Sequence, residues 1–189
     1  MFYQLKPTFE AVQEKPAEGV PWVEVISQQE MDSQVTQHPY LARSLRHGHS
    51  CKAELFDHCA AGALLVPRKE HSPRSGHSFA FLLTADHLTF VDDTGQIEVL
   101  LEQLSYQPAA PGELLLEFLE FLIQEDAAFL QHLETQLDKL EEQLLEQEEP
   151  QRFENQLHRC RRTLLKLSAY YAQLDELGDT LAANRNGLF

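Results

Sequence analysis

Cysteine is scarce: Cys51, Cys59 and Cys160 are the only three in 189 residues, and none has CxxC spacing. An odd, scattered set excludes a disulfide framework and a four-cysteine zinc site, and it fits a reducing compartment. Positive charge is scarce too, with 15 Lys and Arg against 30 Asp and Glu and a formal net charge of -15. Such a chain repels nucleic-acid phosphates and anionic headgroups and gathers cations, so no nucleic-acid partner is expected. Long apolar runs are missing. The longest small-and-apolar stretch, Ala60 to Val66, falls far short of the ~20 residues that span a bilayer. The start, MFYQLKPTFE, has neither the basic region nor the apolar stretch of a signal peptide, and a soluble polypeptide is expected. Catalytic signatures are lacking as well: GHS is no nucleophile elbow, no Gly-rich phosphate loop follows a strand, and no HExxH occurs. No enzymatic activity is expected.

What is present is a core and a helical seam. A hydrophobic content of 43% in a chain of this length suffices for one good core or a domain with an extension. FYQLK and WVEVI read as strands, and between WVEVI and the next segment Ser27 and Glu30 form a capping-box pattern that opens a short helix. HPYLARSLRH suits a second one. CKAELFD, AAGALLVP, HSFAFLLT and HLTFVDD then follow as strands; FAFLL is apolar throughout, as in a strand buried on both faces. Ala85-Asp86 suits a tight hairpin, and Asp92-Asp93-Thr94-Gly95 a turn. RKEHSPRSG, Arg68 to Gly76, reads as an exposed loop without an apolar anchor. IEVLLEQLSY has helical spacing.

From Pro111, a residue suited to a first helical turn, one helix is expected to run to about Glu149, and a second from Pro150 to about Asn184. Leu130, Leu133, Leu137, Leu140 and Leu144 form a seam on the first. Phe153, Leu157, Cys160, Leu164, Leu167, Tyr171, Leu174, Gly178 and Leu181 form one on the second. Three-and-four spacing of this kind predicts a long antiparallel helical hairpin packed in coiled-coil fashion. The fold class expected is α/β (α+β): a mixed-sheet domain flanked by helices over 1–108, then an acidic hairpin over 109–189 packed on it.

Three sets of residues carry candidate chemistry. His47, His49 and Cys51 alternate and could face one way on a strand as zinc ligands, although HGHS also reads as a plain polar turn and no second ligand pair follows. Asp92 and Asp93 could hold a hard cation, or simply accept hydrogen bonds within their turn. Glu141, Glu142, Glu146, Glu148 and Glu149 crowd the hairpin tip, where they would be either a solvated face or a weak, non-directional cation trap.

The strand pair FAFLLTADHLTFVDDTG and the segment from Leu133 to Phe189 resemble the cytoplasmic domain of CorA-type magnesium transporters, from about Cys51 onward. The resemblance implies an α/β/α domain with a pair of acidic helices and self-association as a homopentamer. It also implies Mg2+ as a regulatory ion, bound between carboxylates of neighbouring subunits to hold a closed state. The family's stalk helix, two membrane spans and Gly-Met-Asn signature are not in these residues, so attachment to the cytoplasmic side of a membrane would come through chain beyond Phe189. A soluble coiled-coil interaction module is the alternative, and a zinc-binding regulator using His47, His49 and Cys51 a further one.

Overall fold

The structure, a computed structural model, describes residues 1–5, 10–17, 19–33, 39–41, 50–69, 76–104, 108–145 and 150–189, with backbone alone over 143–145 and 150–152. The strands are β1 (Phe2–Gln4), β2 (Glu10–Val12), β3 (Trp22–Ile26), β4 (Lys52–Leu55), β5 (Ala60–Leu65), β6 (Ser78–Leu83) and β7 (His87–Val91). The helices whose bounds lie within the described residues are α1 (Gln28–Ser33), α2 (Gln96–Gln103), α3 (Pro111–Ile123), α4 (Asp126–Leu145) and α5 (Pro150–Ala182). The strands form one mixed sheet in the order β2-β1-β3-β7-β6-β5-β4. β3 and β7 run parallel, with Trp22 opposite His87 and Ile26 opposite Val91; the other pairings are antiparallel.

Local signals acted as their chemistry requires. Ser27 N–H donates to Glu30 Oε2 at 2.7 Å and Glu30 N–H to Ser27 Oγ at 3.1 Å, the reciprocal capping box that starts α1. Thr84 N–H donates to the His87 carbonyl at 2.8 Å, which closes the two-residue loop Ala85-Asp86 between β6 and β7. Pro111 opens α3, where its missing N–H costs no helical bond.

β6 is covered on both faces. Phe79, Phe81 and Leu83 join the larger core with α2, α3 and part of α5, while Ala80 and Leu82 join a smaller one with Met31 of α1 and Leu41. The larger core runs from Leu5 to Leu181, so the boundary at residue 108 does not separate two cores. α3 lies across β6 and β7, and α5 packs on β4.

The helical half departs from expectation in two ways. The helix begun at Pro111 is interrupted at Gln124 and Glu125 and restarts at Asp126; a buried polar contact at Asp126, described below, fixes that point. The α5 seam also has a different phase. Its buried and half-buried positions include Phe153, Gln156, Cys160, Thr163, Leu167, Tyr170, Leu174, Leu177 and Leu181. Tyr170 and Leu177 replace Tyr171 and Gly178 as the most buried positions because they enter the sheet core, and that rotation leaves Leu157 and Leu164 exposed. On α4, Leu133 and Leu140 are buried and Leu130 is exposed. Leu133, Leu140, Cys160 and Leu167 are buried yet belong to neither sheet core, so they form the hairpin's own seam where α4 packs on α5. At 33 residues, α5 is about 50 Å long.

Candidate functional site

Asp92 is buried, and both its oxygens meet protein donors. Oδ1 accepts from Thr94 N–H at 2.7 Å and Thr94 Oγ1–H at 2.5 Å, and Oδ2 from Ile97 N–H at 2.9 Å. The carboxylate thus satisfies a donor that the first turn of α2 cannot pair internally. Gly95, at φ 73°, supplies the left-handed step just before that helix. Asp93 Oδ1 accepts instead from Gln28 N–H at 2.9 Å, at the start of α1. The two neighbouring carboxylates therefore serve two different helix starts, which is the turn-and-cap arrangement. Asp92→Ala is expected to cost about 2 kcal/mol, measured by chemical denaturation, equally in magnesium and in EDTA. A loss seen only in magnesium would instead make Asp92 an ion ligand.

Of the expected zinc set, His47 and His49 lie outside the described residues. Cys51 is buried just before β4, its N–H donating to Gln173 Oε1 of α5 at 2.8 Å. Burial pushes its thiol pKa up, which favours the protonated form over the thiolate that zinc takes. At the hairpin tip, Glu141 and Glu142 are exposed on α4, whereas Glu146, Glu148 and Glu149 lie outside the described residues. Among the described residues no three His, Cys, Asp or Glu side chains converge in a way that could hold a metal ion. A groove of about 680 Å3 beside the C-terminal part of α5 is lined by Asp57, Glu176 and Asp179, with Arg185 as its cation.

A buried polar cluster joins three elements that local sequence patterns do not connect. Lys69, in the connection between β5 and β6, is 4% exposed, a correction to the reading of Arg68 to Gly76 as an exposed loop without an anchor; 70–75 lie outside the described residues. Its ammonium donates to Asp126 Oδ1 in the first turn of α4, and Tyr171 Oη–H of α5 donates to Asp126 Oδ2 at 2.8 Å. Burial, and then the Asp126 carboxylate, push the Tyr171 hydroxyl pKa upward, so that it remains a donor. The same ammonium stands 5.5 Å from the Tyr170 ring centroid, within cation-π range. Asp126 carries a sequence signal in hindsight: an acid four residues before Leu130, on the line that leads into the seam.

Comparison with known proteins extends this picture. A family profile, described as CorA-like Mg2+ transporter protein, matches residues 18–189. The chain belongs to the CorA-like Mg2+ transporter family. No curated protein matches it by sequence. Among solved structures it is similar to the full-length CmaX protein, with a TM-score of 0.69 and 16% identity. That likeness, a shared fold, covers 96% of this chain and 62% of the other; the CorA-like chain thus spans less than two thirds of the length of the protein it resembles. Among the described residues no helix is long and apolar enough to cross a membrane.

Proposed function

We propose that this CorA-like chain is the cytoplasmic, ion-sensing regulatory part of a transporter for Mg2+ or a related divalent cation, with no catalysis of its own. The family match over residues 18–189 carries the reading. The charge of -15 supports it physically. Acidic surfaces on neighbouring copies repel, a hard dication between them offsets the repulsion, and its loss biases a two-state assembly toward the open arrangement. The exposed carboxylates Glu141 and Glu142, with Glu146, Glu148 and Glu149 beyond them, fit such a diffuse role better than Asp92 and Asp93, which are occupied as caps.

Self-association belongs to the same reading, with a homopentamer as the assembly in the longer protein. Leu157, Leu164 and Leu165 expose apolar surface on α5, which contact with a second copy would cover. In sedimentation velocity, magnesium chloride at about 10 mM, near the millimolar range of protein-bound dications, is expected to shift the chain toward larger species than sodium chloride of equal ionic strength. A monomer in both salts contradicts assembly by this segment. The same leucines favour a second reading, a helical interaction module for another protein, which predicts indifference to magnesium.

A further inference from the structure

The cluster of Lys69, Asp126 and Tyr171 ties together the β5–β6 connection, the first turn of α4 and the middle of α5, next to the hydrogen bond from Cys51 N–H to Gln173 Oε1 and to the apolar packing of the sheet core. The Lys69 and Asp126 side chains are only 2% and 8% exposed. Asp126 directly follows Gln124 and Glu125, where the helical run from Pro111 is interrupted. Beside the pair, the Tyr170 hydroxyl is buried and has no hydrogen-bond partner among the described residues.

An ion pair withdrawn from water to this degree adds little net stability, because desolvation of both ions offsets their attraction. Its effect is on the alternatives. A half-open state, with one ion hydrated and the other still buried, is heavily penalised. A fully open state rehydrates both ions and also the Tyr170 hydroxyl. Docking at this point is therefore all-or-none. The hairpin's outer seam, Leu133, Leu140, Cys160 and Leu167, is separate from the sheet cores, and Leu177 and Leu181 hold the end of α5 on the sheet.

We propose that Lys69, Asp126 and Tyr171 form a latch with two arrangements. In one the start of α4 and the facing turn of α5 are docked on the β5–β6 connection with the pair buried; in the other they are released about Gln124 and Glu125 with both charges in water. The latch goes beyond the ion-sensing reading and stands whether or not the domain binds magnesium.

Hydrogen exchange by mass spectrometry on the whole chain tests it, with peptides of β6 and β7 as the internal reference. In Lys69→Met, peptides over the first turns of α4 and around Tyr170 are expected to exchange about tenfold faster or more, the sheet peptides keeping their rates. Tyr171→Phe, the milder change that keeps the test alive should Lys69→Met fail to fold, accelerates the same peptides about threefold. The apolar triple variant Lys69→Met, Asp126→Leu, Tyr171→Phe returns them to the wild-type rate or slower, since no ion regains water on release. Equal acceleration of hairpin and sheet peptides, or a triple variant as fast as its weakest parent, overturns the latch.

Discussion

Phe118→Ala is expected to lower stability by about 4 kcal/mol, which for a chain of this size is a fall of about 8–16 °C in melting temperature. Phe118 is fully buried on α3. Its ring meets Phe79 of β6 edge-on at 5.3 Å between centroids and Phe90 of β7 at 4.9 Å. These contacts seat α3 on the centre of the sheet, and truncation leaves a void between two rigid strands that the neighbours cannot collapse to fill. Phe118→Leu keeps most of the volume and is expected to cost about 1.5 kcal/mol or less. Equilibrium denaturation of both variants checks the pair, and equal losses would mean that α3 is not seated through this ring.

Gly62→Val is expected to cost about 3 kcal/mol or more, beyond the usual range for a small overpacking change. Gly62 lies in β5 between Ala53 of β4 and Phe81 of β6. A Cβ there would stand 2.4 Å from the Phe81 ring and 2.7 Å from the Lys52 carbonyl oxygen. The ring could yield to a new rotamer, but the backbone oxygen belongs to the ladder and cannot. Combining Gly62→Ala with Phe81→Leu should therefore recover only part of the loss of Gly62→Ala, with a coupling of about 1 kcal/mol in a double-mutant cycle. Strict additivity would show that ring and glycine do not compete for the same space.

The features legible in the sequence are those whose physics is local. The Ser27 and Glu30 box, the Ala85-Asp86 hairpin and the helix start at Pro111 each depend on residues within one turn of each other. Two-sided burial of FAFLL was legible because an apolar run admits no solvent face. The parallel β3 and β7 pairing joins residues 65 apart, and no local pattern encodes it. The seam of α5 was half legible: Phe153, Cys160, Leu167, Leu174 and Leu181 occur in both phases. The choice between Gln156 and Leu157, or Thr163 and Leu164, was made by docking of Tyr170 and Leu177 on the sheet, against side-chain polarity. Burial of Lys69 and Asp126 was not legible either, since only their mutual pairing across 57 positions permits it.

Of the candidate site, the Asp92 and Asp93 turn was legible as a turn, and its carboxylates act on the backbone of α2 and α1. The acidic hairpin was legible as charge but not as a defined ligand set, because a diffuse carboxylate field has no fixed spacing to recognise.

Thermal melting in magnesium chloride against sodium chloride of equal ionic strength tests the central claim most directly. With a dissociation constant near 1 mM, about 10 mM magnesium contributes about 1.4 kcal/mol to the native state, and the melting temperature is expected to rise by about 3–6 °C. A melting temperature unmoved by magnesium would contradict ion sensing by this domain.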